Sequence, residues 1–210
     1  PVKLVRIRNI KGNFVIRIIE ELPKTKKTVS YLWDELKFKK TQIEQAQAIA
    51  QLGADAIGII DVKQSPRYVE DEKRREIFEG LQKISDQVER VLVTADICDN
   101  ELEQILSGYG NPTIIQLHGS ETKDRVNDIK KTGLKVIKAI KVKEEKDIGI
   151  YREFDNADIV LFDTPGMEKS LEFPKNLITK LPVGAKYALA GSVSEDNVEN
   201  INKLGVNFFD

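Results

Sequence analysis

One alternation constrains this chain more than any other feature. Short apolar runs, rich in Ile, Val and Leu, are separated by longer segments whose apolar residues recur at helical spacing. The runs fall at residues 56–60, 90–93, 113–117, 135–140, 158–162, 187–190 and 206–209, and helical periodicity fills 41–52, 69–88, 99–107, 121–132, 144–154, 176–181 and 195–204. A strand that returns to its own sheet through a helix lies parallel to its neighbour, so this rhythm predicts successive βα units. The punctuation agrees. Thr41, three residues before Glu44, has the spacing of a capping box, and Ser194 followed by Glu195 and Asp196 puts a cap and acids where the helix dipole favours negative charge. Gly53, Gly133 and Gly205 close three helices, as residues that enter left-handed backbone without a Cβ penalty.

A further run at 35–38 brings the strands to eight, the number that closes a parallel sheet into a barrel. The competing arrangement is an open, doubly wound sheet, but no early strand is followed by the glycine-rich turn that dinucleotide folds use. The expectation is therefore an α/β protein with a (β/α)8 TIM barrel, the sequence ending within the eighth unit. Ahead of it, residues 2–10 and 14–22 alternate around Lys11, Gly12 and Asn13, which signals a β-hairpin. Residues 1–34 then form an N-terminal hairpin extension and linker, and 35–210 the barrel. Such a hairpin can plug the N-terminal end of the barrel, dock where the eighth helix is lacking, or pair across a dimer.

Composition narrows the partners. With 33 basic and 34 acidic side chains the formal charge is -1, so no overall field recruits nucleic acid or an anionic membrane surface. Arg6, Arg8 and Arg17 on one hairpin face then read as a solvated or ion-paired strand face. The single cysteine, Cys98, excludes an internal disulfide and a multi-thiolate metal site, and suits a reducing cytoplasm. No apolar run approaches the roughly 20 residues that span a bilayer. A small molecule is the expected partner, and a homodimer would cover an apolar gap left beside the eighth unit.

In a barrel of this kind chemistry gathers just past the strand C-termini. The polar residues there are Asp61 with Ser65, Pro66, Arg67 and Tyr68; Gln116, His118 and Gly119; Asp163 with Thr164; and Gly191 with Ser192. Each has a structural reading beside a functional one. Asp163 can form a turn, His118 can pack, Arg67 can pair with Asp61, and Lys39 with Lys40 can be a solvated helix entry.

Six segments in order resemble phosphoribosylanthranilate isomerase: Gly53-Ala54-Asp55-Ala56-Ile57-Gly58, Ser65-Pro66-Arg67-Tyr68-Val69, Gln116-Leu117-His118-Gly119-Ser120-Glu121, Ile137-Lys138-Ala139-Ile140, Leu161-Phe162-Asp163-Thr164, and Leu189-Ala190-Gly191-Ser192-Val193-Ser194 leading to Asp196-Asn197-Val198. The resemblance implies an Amadori rearrangement of N-(5-phosphoribosyl)anthranilate to its 1-amino-2-ketose in tryptophan biosynthesis, an aldose-ketose isomerisation without cofactor or metal. It makes Asp163 the acid that opens the ribose ring, Arg67 the partner of the anthranilate carboxylate, Gln116 and His118 pocket residues, and the amides of Gly191 and Ser192 phosphate donors. Where the family has a cysteine base after its first strand, this sequence has Leu36-Lys37-Phe38 and then Lys39 and Lys40, while Cys98 follows the 90–93 run. Lys39 becomes the candidate base if burial or neighbouring cations lower its pKa. The alternative is a barrel without catalysis that binds a phosphorylated ligand or a partner protein.

Overall fold

The computed structural model describes residues 7–8, 14–16, 41–51, 54–163, 177, 180, 187–190 and 208–209. In chain order these form β1 (Ile7–Arg8), β2 (Phe14–Ile16), α1 (Gln42–Gln51), β3 (Ala56–Ile60), α2 (Asp71–Ile84), β4 (Glu89–Thr94), α3 (Asp99–Leu106), β5 (Ile114–Leu117), α4 (Lys123–Lys130), β6 (Lys135–Lys141), α5 (Glu145–Ile148) with a 3₁₀ segment Gly149–Phe154, β7 (Ile159–Asp163), β8 (Tyr187–Leu189) and β9 (Phe208–Phe209). The protein is an α/β fold whose pairings from β3 to β9 are all parallel, in sequence order. Among the described residues the sheet runs from β1 to β9 with no pairing that closes it. On the other side of β3 lies β2, antiparallel, with Val15 opposite Ile57, and β1 pairs antiparallel with β2. Residues 35–38, expected as the first barrel strand, lie outside the described residues, as do the expected helices at 195–204 and most of 176–181. Among the described residues no helix is long and apolar enough to cross a membrane.

Side chains on successive strand positions point to opposite faces, and the core divides accordingly. One face carries Val91, Ile114, Ile137, Ala139, Leu161, Ala188 and Ala190, which pack together. The other meets the helices, through Ile57, Leu92, Ile115, Val136, Ile140, Phe162 and Leu189. From the helix side, α2 offers Arg74, Ile77, Phe78 and Leu81, spaced three and four apart so that one stripe is buried. Phe162 is clamped edge-on between Tyr151 and Tyr187, at centroid distances of 6.3 and 5.5 Å.

Several ends follow from local chemistry. At α1, Thr41 Oγ1 accepts from the Glu44 N–H at 3.1 Å, and the Glu44 carboxylate accepts from the Thr41 N–H at 3.0 Å, the expected capping box. The helix expected at 69–88 begins at Asp71, because its N-cap Glu70 is extended (φ -60°, ψ 150°) while Val69 still pairs with the end of β3, its N–H bonding the Ile60 carbonyl at 3.0 Å. The one expected at 144–154 shortens to Glu145–Ile148 and tightens into a 3₁₀ turn at Gly149. Arg75, from α2, donates to the carbonyls of Gln104, Ser107 and Tyr109, satisfying the end of α3 that lacks intrahelical partners.

Two left-handed glycines separate backbone strain from crowding. Gly133 (φ 90°) ends the α4 turn with open space where a Cβ would stand, and no atom within 4 Å of that point. At Gly110 (φ 64°) a Cβ would collide with the backbone of Arg75, 2.7 Å from its Cα. Gly133→Ala should cost about 1–2 kcal/mol, the left-handed penalty alone. Gly110→Ala adds a collision with backbone that cannot rotate away, and should cost distinctly more. Urea denaturation of the two variants checks the ranking, and equal losses would overturn it.

Candidate functional site at the strand C-terminal ends

The face that carries Ile114 and Ile137 turns polar at its last rungs. Gln116 follows Ile114 by two residues and His118 by four, so both leave β5 on this face, and Asp163 does so after Ile159 and Leu161 on β7. The apolar cluster beneath is the floor, with the Lys135–Glu89 pair at the opposite end of the same face. Arg67 reaches the rim from the loop after β3. The Ser65 N–H bonds the Val62 carbonyl at 2.8 Å, Ser65 Oγ accepts from the Arg67 N–H at 3.2 Å, and the Ser65 carbonyl accepts from the Tyr68 N–H at 3.0 Å. Tyr68 bridges back to Ile60, so the loop is folded against the end of β3 and holds Arg67 half-buried.

His118 is the electrostatic centre. Burial, then the charges of Lys141 and Lys138, bring its imidazole down to about 4, with Arg67 acting in the same sense and Glu121 opposing. It is therefore neutral at pH 7. Its Nε2 lies 3.0 Å from the side-chain amide of Gln116, so the two side chains share a hydrogen bond. Gln116, 2% exposed, keeps its Oε1 buried without a partner among the described residues.

Beneath this rim lies a buried ion pair that sequence reasoning missed. Lys138 Nζ, on the opposite face of β6, contacts Glu121 Oε2 at 2.8 Å with side chains 4% and 2% exposed, and donates to the Gly119 carbonyl at 2.8 Å. Glu121 Oε1 accepts from the N–H groups of Asp96 and Gly119, and Asp96 Oδ1 accepts from the Ser120 N–H at 2.7 Å. The loops after β4 and β5 are thus tied together directly beside His118. Asp96 adopts a left-handed φ of 54°, and Gly119 leaves no room for a Cβ, which would sit 2.6 Å from the Asp96 carboxylate. Burial pushes the Glu121 carboxyl up, but hydrogen bonds from Lys138 and from the Asp96 amide prevail and hold it below its ordinary value. The signal available was Thr122, the residue that caps α4 by accepting from the Arg125 N–H at 3.2 Å. That cap starts the helix at Lys123 rather than at the expected 121 and frees Glu121 to turn inward.

Of the sequence-derived candidates, Arg67, Gln116, His118 and Asp163 stand at the strand C-terminal ends, and Lys39, Gly191 and Ser192 lie outside the described residues. Lys141, absent from that set, ends β6 in register with Asp163. Cys98 is an exposed thiol at the start of α3, where its N–H bonds Glu101 at 3.1 Å. Asp61, at the end of β3, is raised above the usual carboxylate range by burial.

A parallel α/β sheet with an apolar floor and a polar rim at its C-terminal edge belongs to the class of α/β proteins whose sites lie at the strand C-terminal ends. Within that class, residues 37–210 match the family model described as N-(5'phosphoribosyl)anthranilate (PRA) isomerase. The chain belongs to this family. The N-(5'-phosphoribosyl)anthranilate isomerase of Sulfurihydrogenibium sp. is 35% identical over 165 residues, covering 75% of this chain and 76% of the relative. The crystal structure of phosphoribosyl anthranilate isomerase from Thermus thermophilus shares the fold with a TM-score of 0.70 at 24% identity, over 81% of this chain and 82% of that one. A second phosphoribosyl anthranilate isomerase, 26% identical with a TM-score of 0.60 over 78% of each chain, was solved in complex with reduced 1-(o-carboxyphenylamino)-1-deoxyribulose 5-phosphate.

The buried ion pair and the imidazole each carry a measurable consequence. Lys138→Met strands a buried carboxylate and should cost about 3–5 kcal/mol, while adding Glu121→Leu should recover a good part of that loss. Chemical denaturation decides, and a double variant no more stable than the single one would refute the account. His118, held below the 6.5 of an unfolded histidine, stabilises the fold above pH 6.5 and loses that contribution as pH falls toward 4. The difference in stability between wild type and His118→Gln should therefore shrink by about 2 kcal/mol between pH 7 and pH 5. Since the chain has one histidine, its NMR titration reads the midpoint directly.

Proposed function

We propose that this chain catalyses the rearrangement of N-(5'-phosphoribosyl)anthranilate to the corresponding 1-amino-2-ketose, a step of tryptophan biosynthesis that needs no cofactor. The reading is supported by the chain's membership of this family together with the positions of Arg67, Gln116, His118 and Asp163 at or just after strand C-terminal ends. In it Asp163 protonates the ribose ring oxygen, and the C1–O bond breaks to leave a Schiff base between C1 and the anthranilate nitrogen. A base then removes the C2 proton, and the resulting enolamine takes a proton at C1 as its 2-hydroxyl proton leaves, giving the ketose. Lys39 is the base in this proposal, in place of the cysteine found elsewhere in the family. Arg67 presents a bidentate fork to the anthranilate carboxylate. Gln116 and His118 line the ring pocket, His118 as a neutral imidazole that can exchange hydrogen bonds with the ligand without adding charge. The amides of Gly191 and Ser192 bind the phosphate.

The same reading takes 35–210 as a closed eight-stranded barrel with 1–34 as an added N-terminal extension. It also takes the protein as cytoplasmic and two copies as paired. The experiment is rescue of a tryptophan auxotroph lacking the isomerase, together with fluorescence decay of freshly made phosphoribosylanthranilate on adding the protein. Asp163→Asn and Lys39→Met should each lower kcat by about 10²–10⁴-fold while leaving the fold intact. A folded wild type that neither rescues growth nor consumes substrate would exclude the reaction.

A further inference from the structure

The strand β6 carries three lysines, and two are spoken for. Lys135 pairs with Glu89 and Lys138 with Glu121. Lys141, the last residue of the strand, is exposed and has no hydrogen-bond or ion-pair partner among the described residues. Its placement is tightly defined by the backbone. Ile137 and Ala139 belong to the inner apolar cluster, so two residues further on Lys141 stands on that same face, at the rim. It lies in register with Asp163, whose carbonyl accepts from the Val142 N–H at 2.8 Å. From there its charge reaches His118, where it is the strongest cationic influence, ahead of Lys138 and Arg67.

We infer that Lys141 is a substrate-binding residue: with Arg67 it forms a two-cation seat, across the His118 ring, for the carboxylate of an aromatic acid. The inference rests on the isomerase reading for the identity of the acid, anthranilate. An ammonium at the strand end on the inner face, without an ion-pair partner among the described residues, offers an arriving carboxylate a direct charge partner. The phosphate end is a poorer match, since Lys141 and Arg67 both act on His118, just past β5, and the proposed phosphate amides follow β8. A carboxylate seated between the two cations directs the attached amine and sugar toward Asp163, on the strand beyond β6 from His118. Lys141 thereby sets specificity for an ortho-carboxylated amine over a neutral one.

The test uses the whole chain and the single imidazole as reporter. Anthranilate and its neutral isostere anthranilamide are titrated against wild type, Lys141→Met and Lys141→Arg, following the His118 resonances, and the kinetics are run in parallel. The expected result is that Lys141→Met weakens anthranilate at least tenfold and anthranilamide less than twofold, and that Lys141→Arg restores most of the loss. In turnover, Lys141→Met should raise KM by about the same factor with kcat within threefold, as loss of uniform binding requires. The assignment is overturned if the variant weakens both ligands equally, if it weakens neither, or if wild type binds no anthranilate. The two proposals fail separately. Charge-dependent binding without turnover sinks the isomerase reading and keeps Lys141, whereas turnover with an indifferent Lys141→Met sinks only the residue assignment.

Discussion

The period-two alternation of β6 decides how charge is distributed around this site. Lys138 and Lys141 are separated by three residues, an odd number, and so leave the strand on opposite faces. Lys138 goes beneath the loops and is neutralised by Glu121; Lys141 goes to the rim and is not. Around the first, the N–H groups of Asp96, Gly119 and Ser120 are all satisfied by carboxylate oxygens, which fixes the segment that starts with His118. Around the second, the imidazole is kept neutral. A one-residue slip in the pairing of β6 would exchange the two lysines, leaving Glu121 buried without its partner and a cation under the helices, so the ladder's register and the site's electrostatics are one constraint.

Much of this architecture is legible in the sequence because strand periodicity and βα punctuation are local. The run at 56–60 coincides with β3, and the Thr41–Glu44 box is in place, since both depend on neighbours within a few residues. Helix boundaries are less legible where a tertiary bond competes. Val69 fits the helical period of the segment that follows it, yet its N–H closes the loop after β3 instead. The rim positions of Arg67, Gln116, His118 and Asp163 are legible because these residues lie at or just past strand ends. Lys141 is not. In Ile137-Lys138-Ala139-Ile140-Lys141 a terminal lysine looks like a solvated strand end, and only register with Asp163 and proximity to His118 give it a place. Glu121 is hidden for a related reason. As an acid near a helix start it fits a favourable dipole position, which masks its role as a buried counter-ion 17 residues from its lysine.

The cost of this arrangement is visible in Gln116. Its Oε1 is buried with no partner among the described residues, while its amide nitrogen is committed to His118. A buried acceptor left unpaired costs about 1–3 kcal/mol. A neutral histidine that an unfolded chain would protonate adds a second liability as the medium turns acidic. Each could be relieved by an apolar substitution on the rim, as the cluster a rung below shows with Ile114, Ile137 and Leu161. These groups share a place and complementary characters: an acceptor, a neutral ring and, at the end of β6, the Lys141 cation, over an apolar floor. In the proposed function, a ligand bearing an N–H, an aromatic ring and a carboxylate meets all three at once, and its binding energy offsets what the free protein lacks.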